Sequence, residues 1–163
     1  MPSTTFNKRS FLLYIKMTPI KTSYEDSLWV TIYTDASGTG GWAAWIRCSL
    51  PPYKLQIMGT HPHPNDSTAM EACAILEAVK ATLQQWKNVD GLRITTDSQS
   101  AIISLKRKHN KNKALRKIQT EFLLLTSRKW VKFVWKKGHC QDDSIQTWLN
   151  NWCDKNSKIV NIE

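Results

Sequence analysis

The chain has 163 residues, 41% of them hydrophobic and 22% charged, the size and make-up of one globular domain with a real core. Lys and Arg number 23 against 13 Asp and Glu, and the formal net charge of +10 favours a polyanionic partner over the plainer reading of a merely soluble basic protein. No apolar run is long enough to span a bilayer, and four cysteines without a CxxC pair or a repeated spacing point to a reduced, intracellular protein of cytoplasm or nucleus with buried or incidental thiols.

Residues 1 to 27 show no clear period and read as an N-terminal extension. Its "FLLYI" (Phe11 to Ile15), with Lys8, Arg9 and Lys16 around it, is too short to span a membrane. A loosely docked tail is the simplest reading, with a weak targeting segment or the end of an upstream domain as alternatives. Residues 28 to 163 form the domain. "LWVTIYTD" (Leu28 to Asp35) is β-branched and aromatic and predicts a strand, followed by the turn "SGTGG". "WAAWIRC" (Trp42 to Cys48) and "YKLQIMGT" (Tyr53 to Thr60) predict two more, and the short links make the three an antiparallel meander. After the loop "HPHPND", Asp66 or Ser67 can cap a helix to about Trp86, with Ala72, Ile75, Leu76, Val79, Leu83 and Trp86 at helical spacing. "LRITTD" (Leu92 to Asp97) is a fourth strand, and "SQSAIISLK" a helix opening with Ser98. "KNKALRKIQTEFLLLTS" is a helix with Leu115, Ile118, Phe122 and Leu125 on one side. "WVKFVW" (Trp130 to Trp135) is the fifth strand, "GHCQDDSIQT" begins as a loop, and "WLNNWCDKNSKIV" closes the chain as a helix. The order β-β-β-α-β-α-α-β-α predicts an α/β fold: a five-stranded mixed sheet, meander plus parallel strands, flanked by four helices.

The acids fall at suggestive places in that order. Asp35 ends the first strand and Asp97 the fourth. If those strands are parallel neighbours, both carboxylates emerge at the carboxyl edge of the sheet, where ligand sites of open α/β sheets lie. Glu71 sits early in the first helix within the small, apolar "AMEACA", and Asp154 sits in the last helix within "NNWCD". Each acid alone has an ordinary reading: a strand-end turn former, a solvated helix residue, or a surface charge paired with Lys155 or Lys158. Converging carboxylates raise one another's pKa, and a divalent cation removes that penalty. Oxygen ligands suit Mg²⁺ or Mn²⁺ rather than Zn²⁺, and two such ions about 4 Å apart support phosphodiester hydrolysis.

"YTDASGTGGWAAW", "TAMEACAILEAV", "ITTDSQSAI", "WKKGH" and "NNWCD" together resemble the type 1 ribonuclease H family, including the ribonuclease H domains of reverse transcriptases, over Trp29 to Ile159. The resemblance implies a ribonuclease H-like fold and two-metal-ion hydrolysis of the RNA strand of RNA–DNA hybrids, with Mg²⁺ as cofactor and Mn²⁺ as a possible substitute. At matching positions, Asp35, Glu71, Asp97 and Asp154 stand for the four metal-binding acids, and His139 for a loop histidine that shuttles a proton or helps product leave. Ser98 and Gln99 match contacts to the RNA strand in the minor groove. The turn Ser37, Gly38, Thr39 and Gly40 matches a loop that touches the substrate backbone. Ser67 and Thr68 can still donate hydrogen bonds where the family carries a polar pair, although Asp66 adds negative charge there. The implied partner is the hybrid, and the protein is a monomer or is fused to a reverse transcriptase. A non-catalytic nucleic-acid-binding module with the same fold is the alternative, and a related enzyme acting on DNA or junctions a further one.

Other features have plainer readings. The Lys/Asn-rich turn "RKHNKNK" (Arg107 to Lys113) stands in place of the long basic protrusion of some bacterial relatives and could attract phosphates. His61 and His63 lie between prolines with no Cys pair nearby and read as a structural loop, and Asp142 and Asp143 as solvated loop acids. Trp148 and Trp152 read as core on helical spacing, and Trp86 either packs the sheet or faces the DNA strand.

Overall fold

β-Branched and aromatic residues dominate the sheet of the computed structural model, which describes residues 27–107, 109–138 and 144–159. The strands are β1 (Trp29–Ala36), β2 (Gly41–Cys48), β3 (Lys54–Thr60), β4 (Gly91–Thr96) and β5 (Trp130–Trp135). The helices are α1 (Ser67–Gln85), α2 (Gln99–Lys106), α3 (Lys113–Thr126) and α4 (Ile145–Ile159). The strand order is β3-β2-β1-β4-β5. β1, β2 and β3 pair antiparallel, and β4 runs parallel to both β1 and β5. The architecture expected from the element order is therefore present. The expected N-terminal extension, apart from Ser27, lies outside the described residues.

The core lies mainly between the sheet and α1. Val30, Ile32, Ile46, Leu92 and Ile94 of the sheet are fully buried, as are Ala72, Ile75 and Val79 of α1. Ala69, Ala72, Ala74 and Ala78 are all solvent-inaccessible, so α1 lies close to the strands with little side-chain volume between. α3 closes this layer with Leu115, Ile118 and Phe122. On the other face α4 packs on β1 and β2, and a smaller cluster joins Tyr33 and Ala43 to Leu149 and Cys153. Edge strand β3 alternates Leu55 and Ile57 toward the core with exposed Lys54, Gln56 and Met58.

One open alternative closes and two sequence expectations shift. Trp86 packs rather than facing a ligand: it is 4% exposed, and its indole donates to the Pro51 and Leu50 carbonyls at 3.1 and 3.3 Å. The last helix begins at Ile145 rather than Trp148, with the Ser144 hydroxyl accepting the Thr147 N–H at 3.1 Å as a capping side chain does. Trp148 is not core, being 56% exposed. Leu149 and Cys153 take the sheet-facing stripe of α4, and Trp148 and half-buried Trp152 meet Trp45 edge-on at 5.2 and 5.1 Å along its border.

Candidate active site

Parallel pairing of β1 and β4 brings their carboxyl ends together, with Ile32 opposite Ile94 and Tyr33 opposite Thr95. Asp35 lies on the central strand next to its end, and Asp97 follows directly after β4. α1 starts at the same edge. Its N-cap Asp66 accepts the Ala69 N–H at 2.9 Å, and Glu71 falls on the second turn. Glu71 reaches the strand end, where its Oε1 accepts the Ala36 N–H at 3.3 Å. The result is a cluster: carboxylate oxygens of Asp35, Glu71 and Asp97 lie within 4.8 Å of one another.

Two of the three are buried, Asp35 at 4% and Glu71 at 7% exposure. Burial, then the charges of Asp97 and Asp154, push the Asp35 carboxyl up to about 8. Burial first and the neighbouring Asp35 and Asp97 charges next hold Glu71 well above the usual carboxylate range. Asp154 joins from α4: its carboxyl lies within hydrogen-bonding reach of Asp35, while its Oδ2 accepts from the Lys158 ammonium at 3.0 Å. Burial and mutual repulsion act on Asp35 and Glu71, and among the described residues Glu71 Oε2 has no hydrogen-bond partner. Hard oxygen donors so arranged fit a divalent cation of the Mg²⁺ type.

The turn after β1 is held from two sides. Gly40, at φ 103°, supplies the left-handed residue the turn needs, and its N–H donates to the Ser37 carbonyl at 3.1 Å. The buried Ser37 hydroxyl donates to the Ser157 carbonyl of α4 at 3.0 Å and accepts from Thr39 at 2.8 Å. His61 closes the other side. Its Nδ1 accepts the His63 N–H at 3.1 Å, which leaves the ring proton on Nε2 to donate to the Ser37 carbonyl at 2.8 Å. His61 is thus a structural loop histidine. Of the turn residues expected to meet substrate, Gly38 and Thr39 form the exposed tip, and Ser37 is directed inward.

The other candidate contacts line the same edge. Ser98 caps α2, its hydroxyl accepting the Ala101 N–H at 3.1 Å. The Thr68 hydroxyl donates to Ser100 at 2.9 Å, and Ser100 lies 3.2 Å from Ser98. Ser67 and Gln99 are exposed beside them. The Asp66 carboxylate is engaged on both oxygens, since its Oδ2 accepts from the Asn112 amide at 3.0 Å. His139 lies outside the described residues, directly after Gly138, where a Cβ would overlap Asp97 Oδ2. The supports Ser157, His61 and Trp135, whose indole reaches the Asp97 carbonyl, were not legible from local pattern, because each acts across 24 or more residues.

A family model described as RNase H matches residues 27–160. The chain belongs to the ribonuclease H family. Three solved structures share the ribonuclease H fold with it. The N-terminal RNase H domain of Rv2228c from Mycobacterium tuberculosis, solved as a fusion with maltose-binding protein, is 14% identical over 83% of this chain and 95% of that one, with a TM-score of 0.58. Prototype foamy virus protease–reverse transcriptase is 17% identical over 86% of this chain and 22% of the viral one, at 0.62. LC9-RNase H1, a type 1 RNase H with the type 2 active-site motif, is 14% identical over 83% of this chain and 72% of that one, also at 0.62. No curated protein sequence matches the chain.

Proposed function

We propose that this ribonuclease H is an endonuclease that hydrolyses the RNA strand of RNA–DNA hybrids with two divalent metal ions, Mg²⁺ or Mn²⁺. The observation that carries the proposal is the convergence of Asp35, Glu71 and Asp97, with Asp154 beside Asp35, at one sheet edge. A module that only bound nucleic acid would gain nothing from buried carboxylates there, because they repel phosphates. Bound divalent ions would supply charge for the attacking and leaving oxygens of the phosphodiester. Asp35, Glu71, Asp97 and Asp154 would hold them. Glu71 is itself fixed by the Ala36 N–H, which leaves Oε2 for a ligand. His139, next to Gly138, is suited to move a proton or speed product release.

Recognition follows from the same edge. The exposed tip Gly38–Thr39 and the polar groups Ser67, Thr68, Ser98 and Gln99 would face a wide minor groove bearing 2′-hydroxyls, so cleavage should follow helix shape more than sequence. The +10 charge adds a salt-dependent attraction to either strand. A native setting fused to a reverse transcriptase fits the likeness to the foamy virus protease–reverse transcriptase chain. The direct test is an end-labelled hybrid incubated with Mg²⁺, Mn²⁺ or chelator, with single-stranded RNA, duplex RNA and duplex DNA as controls. Metal-dependent cutting confined to the RNA strand of the hybrid is expected. Tight hybrid binding without cutting would instead support the binding-module reading.

A further inference from the structure

The backbone carbonyl of Asp97 belongs to neither neighbouring element. β4 ends at Thr96, whose carbonyl accepts the Lys136 N–H at 3.0 Å. α2 begins after Ser98, whose carbonyl accepts the Ile102 N–H at 3.2 Å. Asp97 stands between them, and its carbonyl accepts from the indole Nε1–H of Trp135 at 3.0 Å. Trp135 is the last residue of β5 and pairs with Thr96 across the parallel ladder. Three residues later the same segment passes the other end of Asp97, where a side chain at Gly138 would collide with Oδ2. The exit of β5 therefore brackets Asp97 at both its main-chain oxygen and its carboxylate.

Burial does not account for the tryptophan, since the residue is 47% exposed. A phenylalanine would fill the buried part equally well. What only the indole brings is a donor on a rigid plane, two torsions from the backbone, aimed at a carbonyl that lies between the strand ladder and the helix.

We propose that Trp135 is a positioning residue for Asp97: its indole N–H fixes the Asp97 peptide and so keeps that carboxylate within reach of Asp35 and Glu71. The role rests on the reading of these acids as a divalent-cation site. Trp135 acts through Asp97 and touches neither ion nor reacting phosphate.

The test compares Trp135→Phe and Trp135→Leu, which lack the donor, with Trp135→His, which retains a ring N–H. Trp130→Phe, at the opposite end of β5, is the control. Mn²⁺ binding is measured by calorimetry without nucleic acid, below the melting temperature of every variant, and cleavage is then titrated with Mg²⁺. The phenylalanine and leucine variants should bind Mn²⁺ about 10-fold more weakly, the size of effect that partners of metal ligands commonly show. They should need correspondingly more Mg²⁺ for half-maximal rate, with an unchanged KM for the hybrid. The histidine variant and Trp130→Phe should stay near wild type. Wild-type Mn²⁺ affinity in Trp135→Phe, or an equal loss in Trp130→Phe, would overturn the assignment. A wild-type protein that binds no Mn²⁺ would overturn the cation-site reading itself, and with it the role of Trp135.

Discussion

Glu71 shows how a single residue can oppose stability and serve chemistry at once. The residue is 7% exposed, one carboxylate oxygen has no hydrogen-bond partner among the described residues, and other acids surround it. Glu71→Gln should therefore raise the melting temperature of the metal-free protein at pH 8 while reducing cleavage to background, as thermal scans with chelator and a hybrid assay would show. Asp97→Asn should also abolish cleavage but leave hybrid affinity within a few-fold of wild type in a binding titration, because the basic surface is untouched. His139→Ala should slow turnover by about 100-fold rather than abolish it, in keeping with the usual contribution of a positioned proton carrier. The raised Asp35 carboxyl sets a pH dependence of stability. Its folded value of about 8 lies above the ordinary 3.8, so between them the folded state binds the extra proton. Its contribution to stability is full below the ordinary value and is lost as pH rises through the folded one. Metal-free protein should thus melt progressively lower from pH 5 to pH 9, and Mg²⁺ should restore most of the difference at the alkaline end. The identities of Asp35, Glu71 and Asp97 were legible because each sits at a strand end or early in a helix. That burial is the largest cause raising Asp35 and Glu71 was not, because the residues that cover them come from far away in the chain.

At the scale of elements, the helix starts do more than terminate hydrogen-bond ladders. Asp66 caps α1 and also accepts from Asn112, which caps α3 through the Ala114 and Leu115 N–H groups. Sequence pattern narrows the α1 cap to Asp66 or Ser67, and the structure gives the second Asp66 oxygen a use as well, the bridge to Asn112. The Asp66 charge is taken up by two donors and the helix dipole. Asp66→Ala should cost about 1–2 kcal/mol by denaturant titration, because it removes a cap together with a link between two helices. The described part of the Lys/Asn-rich turn is similarly tied to the helices on either side. Asn110 is buried and donates to Ser104 at 2.9 Å and Gln119 at 2.7 Å, which leaves Lys111 and Lys113 exposed around it. Replacing both lysines should lower the slope of log affinity against log salt by about 0.9 for each phosphate they neutralise; an unchanged slope would remove this turn from the substrate path. The exposure of Trp148 follows from the sheet below it. Helical spacing identifies a stripe, but the width of the sheet beneath decides which edge of it is covered.

Over the whole molecule, the element order was legible because strands and helices differ in period, and the meander followed from short links. What no local pattern gives is the pairing of β1 with β4, separated by α1 and two strands. That pairing places acids from positions 35, 71, 97 and 154 around one edge. No helix among the described residues is long and apolar enough to cross a membrane. At the opposite end of the same parallel pairing, Trp29 and Trp130 stack over Gly91 with centroids 6.0 Å apart and planes 10° from parallel, in a row set by the register of three strands. Those rings meet only when segments about 100 positions apart have found each other, the kind of distant closure that slows folding. The near-ultraviolet dichroism missing from Trp130→Phe would then act as a clock for the last stage of refolding: the signal should lag behind the far-ultraviolet helical signal, and the lag would time the moment at which the edge carrying the acids is assembled.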